Sequence, residues 1–132
     1  MTSVGKYANT KKGSRMSVVR VTRPISWVSA AQKAFMGFPD ASRDILLDAL
    51  TMAAEGGKAD IAKPMVSFGS GVFELALPYR GNAYRVICAV QIGEDIWVLH
   101  AFQKKSTSGI KTPKHEVDLA RKRLKQLKEM LR

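Results

Sequence analysis

Between Gly71 and Phe102 the chain reads as three strands joined by tight turns, and this stretch constrains the fold more than any other. Phe73, Leu75 and Leu77 alternate with Glu74 and Ala76, the pattern of a strand with one buried face. A turn at Arg80-Gly81-Asn82 leads to a strand from Tyr84 to Val90. A second turn at Gly93-Glu94-Asp95 leads to a strand from Ile96 to Phe102. Three strands on two tight connections predict an antiparallel meander. The last two strands are apolar on both faces through most of their length, so that part of the sheet is expected to be covered on both sides.

The flanking segments supply the cover. Ile25-Ser26-Trp27-Val28, preceded by Pro24, predicts a short edge strand. Ser29 is placed to cap a helix over Ala30 to Met36, which stops before Gly37 and Pro39. A second helix is expected from about Ala41 to Glu55, because Ile45, Leu46, Ala49, Leu50 and Ala53 recur at three- and four-residue spacing; Gly56-Gly57 ends it. At the far end Thr112 reads as an N-cap and Pro113 as the first helical residue. Val117, Ala120, Leu124, Leu127 and Leu131 then form one stripe suited to docking on a core. The expected fold is α+β: a short N-terminal strand, two helices, an antiparallel meander and a C-terminal helix, in one domain over residues 18–132. Residues 1–17 mix Lys, Gly, Ser, Thr and Asn without period and are expected to form a flexible basic tail.

Charge narrows the partners. The 132 residues carry 22 Lys+Arg against 11 Asp+Glu, a net charge of +11. The excess sits at the ends. Every ionised residue before Asp40 is basic, and from Lys104 onward basic residues outnumber Glu116, Asp118 and Glu129 about threefold. A scaffold charged in this way is expected to meet a polyanion. The single cysteine, Cys88, rules out an internal disulfide and a cysteine-based zinc site, and its apolar neighbours Val86, Ile87, Ala89 and Val90 predict an inert buried thiol. With no apolar run long enough for a membrane span and a polar, basic N-terminus, a cytoplasmic protein that makes no membrane contact is expected.

No set of residues supports metal or nucleotide chemistry, so neither a metal nor another cofactor is expected. His100 and His115 are not at metal-ligand spacing, the carboxylates are scattered, and no glycine-rich phosphate loop is present. What remains is cationic. Arg85 interrupts an apolar strand, where a charge is costly unless it is paired or functional. It can pair with Glu74 across the sheet, and it can converge with Lys104 and Lys105, at the end of the last strand, on one surface able to bind a phosphodiester. A pairing with Glu74 does not exclude that role.

Several strings together resemble the HigB-like, phage-associated branch of the RelE/ParE toxin superfamily. They are Gly71-Val72-Phe73-Glu74-Leu75, Tyr84-Arg85-Val86, Leu99 to Lys105 (Leu-His-Ala-Phe-Gln-Lys-Lys) and Thr112 to Glu116 (Thr-Pro-Lys-His-Glu), with the step Lys63-Pro64 before the sheet. The likeness runs from about Arg23 to Leu131. It implies a RelE-like fold, helices on a curved antiparallel sheet, and the toxin of a type II toxin–antitoxin pair. Its partners would be a cognate antitoxin with a helix-turn-helix domain, messenger RNA and the ribosome, with DNA reached only through the antitoxin. It further implies ribosome-dependent, metal-independent cleavage of messenger RNA, in which the 2′-hydroxyl attacks the adjacent phosphate. Carried onto this chain, Arg85 and Lys104 stabilise the transition state, with Lys105 as a neighbouring contact. Lys63, Arg80, Lys111 and Lys114 are expected on the RNA backbone, and Glu74, His100 and His115 are the candidates for general acid or base.

Two departures from that pattern keep other readings open. RelE-like nucleases carry lysines on the strand that here reads Glu74-Leu75-Ala76, and no tyrosine follows Tyr84, where RelE has one near its C-terminus. A ParE-like inhibitor of DNA gyrase, which cuts nothing itself, shares the fold. So does a non-toxic binding module acting as a co-repressor with its antitoxin.

Overall fold

The computed structural model describes residues 2–5, 22–105 and 111–131. Six strands form one mixed sheet in the order β1-β2-β6-β5-β4-β3. They are β1 (Thr2–Gly5), β2 (Ile25–Val28), β3 (Ala62–Pro64), β4 (Val72–Tyr79), β5 (Asn82–Ile92) and β6 (Asp95–Lys105). Two helices, α1 (Ser29–Met36) and α2 (Asp40–Ala54), follow β2; α3 (Lys114–Met130) closes the described chain.

The expected meander is present as β4–β5–β6, antiparallel throughout. Arg80 and Gly81 form the first turn, with φ of 52° and 80°. Both residues are left-handed, as a two-residue hairpin of this twist requires. The sheet is not antiparallel throughout, however. β2 runs parallel to β6, with Ser26 opposite Trp97, because the passage through α1, α2 and the meander returns the chain in the direction it started. β2 is not at the edge either: β1 pairs outside it, antiparallel, with Ser3 opposite Trp27. Residues 2–5, expected within the tail, are therefore strand. The rest of the tail, residues 18–21 at the start of the expected domain, and Ser106 to Ile110 of the loop after β6 lie outside the described residues.

Alternation along each strand sorts the core into two layers. Leu75, Leu77, Tyr84, Val86, Cys88, Val98 and Ala101 pack with Ile25 and Trp27 against Ala31 and Phe35 of α1 and Leu46, Ala49 and Leu50 of α2. The opposite face presents Val72, Ile87, Ala89, Trp97, Leu99 and Phe102 to Ala120, Leu124 and Leu127 of α3. The double cover expected over the later strands is thus real. Burying each of these leucines is worth roughly 1.5–3 kcal/mol. Four members of the expected helical stripes stand outside the core: Ile45 is exposed, Ala53 and Val117 are only partly buried, and Leu131 lies past the end of α3.

Two caps differ from expectation. Val28 and Pro113, not Ser29 and Thr112, occupy the N-cap positions, and neither helix has a side-chain cap. The backbone of Pro113 is extended, at φ −58° and ψ 144°, so the helix begins at Lys114 and the Thr112 hydroxyl is left to bond elsewhere. A bulge interrupts β5–β6. Ile87 pairs with His100 and Cys88 with Val98, leaving Leu99 as the extra residue. Leu99 and His100 therefore both serve the α3 side. Arg23 fastens the β5–β6 hairpin by donating to the carbonyls of Glu94 (2.9 Å), Val90 (2.7 Å) and Asp95 (3.0 Å).

Candidate functional site

α3 covers only part of its sheet face. Three register rows cross this face, with polar residues set among apolar ones. One row runs Lys63, Glu74, Ile87, His100; the next Ala76, Arg85, Phe102; the third Pro78, Ala83, Lys104. A cavity of about 340 Å³ opens there, lined by Lys63, Glu74 and Arg85, by Ala76, Pro78 and Ala83, and by Asp60 and Ile61. Small side chains at Ala76 and Ala83 leave the space that a larger residue would fill.

Arg85 and Glu74 stand diagonally on β5 and β4. Both are buried, at 4% and 7% exposure. Their closest approach is 3.4 Å, from an Arg85 terminal nitrogen to Glu74 Oε1. That is well beyond the roughly 2.7–2.9 Å of a tight charge-assisted bond. Between them sits Thr112. Its hydroxyl donates to Glu74 Oε2 at 2.7 Å and accepts from Arg85 at 3.1 Å. A hydroxyl has one proton and a guanidinium has no lone pair to accept with, so the direction of both bonds is determined. Arg85 Nε is buried and has no hydrogen-bond partner among the described residues.

His100 belongs to a second cluster under α3. Arg123 donates to the Leu99 carbonyl at 3.0 Å and to His100 Nδ1 at 3.1 Å, while His100 Nε2 lies 2.6 Å from Glu116 Oε1. Its ring stacks on Phe102, with centroids 5.0 Å apart. Burial pushes the His100 pKa below its ordinary value; the hydrogen bond to Glu116 opposes that shift and the charge of Arg123 adds to it. With both ring nitrogens engaged, His100 is a fastening between β6 and α3.

The remaining expected residues disperse. Lys104 is half-buried in the row beside Arg85, whereas Lys105 is exposed and opposite Asn82, on the other side of the strand's alternation. Arg80 is exposed at the hairpin tip over the Tyr79 ring, at 5.3 Å. Lys111 and Lys114 are exposed on either side of Thr112 and Pro113, and Lys114 pairs with Asp118 at 2.9 Å. His115 is exposed, 3.3 Å from Glu116. Cys88 is fully buried, and burial pushes its thiol far up from the usual range, as an inert core cysteine requires. The structure thus brings Lys63, Glu74, Arg85 and Lys104 onto one face and leaves Lys105, Arg80 and His115 outside it. Thr112, Asp60 and Arg123 had not been singled out for these places. Only Thr112 carried a usable signal, a hydroxyl in the Thr-Pro string.

The family model described as phage-derived protein Gp49-like (DUF891) matches residues 33–125, a span that holds every member of this face as well as the His100 cluster. The chain belongs to that family. Membership in the Gp49-like family is consistent with the toxin of a toxin–antitoxin pair, and such a toxin has an antitoxin partner. No curated protein matches the chain. No helix of this Gp49-like protein, among the described residues, is long and apolar enough to cross a membrane.

Proposed function

We propose that this Gp49-like protein is the toxin of a type II toxin–antitoxin pair, of the HigB-like kind, and that it cleaves messenger RNA on the ribosome in the cytoplasm without a metal. The observation that carries this reading is the sheet face that holds Lys63, Arg85 and Lys104, with a cavity lined by Lys63 and Arg85 together with the small residues Ala76 and Ala83. Lys63 and Lys104 draw the RNA backbone in; Arg85, held beneath them, meets the negative charge that gathers on the non-bridging phosphate oxygens as the 2′-hydroxyl gives up its proton and attacks. The bond to the 5′-oxygen breaks and that oxygen takes up a proton, leaving a 2′,3′-cyclic phosphate. Fixed charge aimed at a developing oxyanion in a partly dehydrated site is the largest contribution such a surface can make. A helix-turn-helix antitoxin would silence the protein by covering that face.

Expression without a partner tests this. Growth arrest with new messenger 5′ ends inside coding regions is expected, weakened by Lys63→Ala and Lys104→Ala. Arrest with DNA damage signalling and intact messages would instead indicate a gyrase inhibitor. Unimpaired growth with soluble protein present would indicate a co-repressor module.

A further inference from the structure

We propose that Thr112 is a positioning residue of this site: its hydroxyl keeps Glu74 from closing on Arg85 and so keeps the guanidinium available to an RNA phosphate. The inference rests on the reading of the Arg85 face as a phosphodiester site and adds to it the residue that sets its charge.

Arg85 and Glu74 share a buried environment in which opposite charges attract strongly, yet they remain 3.4 and 3.5 Å apart. The shortest bond to the carboxylate comes from Thr112, at 2.7 Å. The same oxygen takes an Arg85 hydrogen at 3.1 Å, so Thr112 stands between the two charges as donor to one and acceptor from the other. Without that hydroxyl, Glu74 is free to form a close two-point pair with Arg85, the geometry a guanidinium and a carboxylate prefer. A closed pair is electrically neutral at short range and presents little positive potential to a phosphate. Arg85 must therefore be held near Glu74, because an unpaired buried cation is costly, but not captured by it.

Placement supports a deliberate role. Thr112 lies two residues before α3 yet does not cap it; the N-cap is Pro113, with no side-chain bond. Its hydroxyl is committed instead to β4 and β5, 38 and 27 residues away in the chain. Through it the start of α3 is coupled to the charge state of the cavity wall.

The test compares Thr112→Val, Thr112→Ser and the double variant Thr112→Val/Glu74→Gln for two readouts. These are cleavage of a translated message and binding of a short single-stranded oligoribonucleotide by fluorescence anisotropy. Circular dichroism confirms that each variant is folded. Thr112→Val is expected to cut on the order of 100-fold more slowly, the size of loss seen when one transition-state donor is removed. It should also bind the oligonucleotide more weakly. Thr112→Ser should restore both, since it returns the hydroxyl. In the double variant, oligonucleotide binding should recover most of what Thr112→Val loses, because a neutral glutamine side chain in place of Glu74 cannot capture Arg85. Cleavage is not compared there, since Glu74 is itself a candidate general acid or base, and a merely structural role for Thr112 would make binding by the double variant worse. Wild-type behaviour of folded Thr112→Val would overturn the inference, as would a folded double variant that binds the oligonucleotide no better than the single one. If the wild type binds RNA but does not cut it, the nuclease reading fails while the binding comparison still decides the role of Thr112.

Discussion

Arg123 donates a hydrogen bond to His100 Nδ1 at 3.1 Å, and that contact determines which nitrogen of the ring holds the proton. A guanidinium has only hydrogens to offer, so Nδ1 accepts and the proton sits on Nε2, which donates it in a hydrogen bond to Glu116 Oε1 at 2.6 Å. His100 is thus a neutral link between the bulged strand β6 and α3. A second proton would end the Arg123 bond and place two positive charges side by side.

The pH dependence of stability follows from this. The folded pKa of His100 is lowered, chiefly by burial, so below about 6.5 the unfolded chain binds a proton that the folded one does not. The stabilisation from this group is complete above the unfolded value and is lost as pH falls toward the folded value. Urea midpoints measured from pH 7.5 to 5 should fall for the wild type, and the fall should be shallower in His100→Gln. Equal slopes would mean that His100 does not titrate with unfolding.

Removing Arg85 should damage the fold before it damages any chemistry. Arg85→Ala leaves the buried Glu74 carboxylate with Thr112 alone, and breaking a buried pair in this way costs about 3–5 kcal/mol. Arg85→Met/Glu74→Leu removes both charges and should regain most of that loss in denaturant unfolding. Arg85→Ala is therefore a poor probe of function on its own.

Arg80 is held left-handed at φ 52° with its side chain only resting on Tyr79. A residue with a Cβ is strained there, and asparagine or glycine is favoured at that position of such a hairpin. Arg80→Asn should raise stability by about 0.5–1 kcal/mol, seen as a higher melting temperature, if the RNA-backbone role expected for Arg80 is dispensable to folding.

These residues also show how far the sequence could be read. Arg85 announced itself by breaking an apolar strand, and its pairing with Glu74 followed from the alternation of the two strands. The meander was legible because turn residues and two-residue periodicity are local. The parallel contact between β2 and β6 was not, since the partners lie 71 residues apart and no local pattern encodes them. The bulge at Leu99 hid the place of His100: strict alternation puts these neighbours on opposite faces, and only the inserted residue brings both toward α3. Thr112 reads as a cap in the sequence because threonine before a proline-led helix usually is one. Its bonds to Glu74 and Arg85 depend on tertiary placement alone.

The most direct measurement is primer extension on a defined message in a reconstituted translation reaction, with purified wild-type protein and with folded Lys63→Ala/Lys104→Ala. Lys63 and Lys104 are the two lysines on the Arg85 face, and neither is fully buried, so the variant should fold. The account predicts new 5′ ends within the translated region for the wild type, reduced at least tenfold in the variant, and none on the same message without ribosomes. Intact message with the wild type, or equal cleavage by the variant, would contradict it.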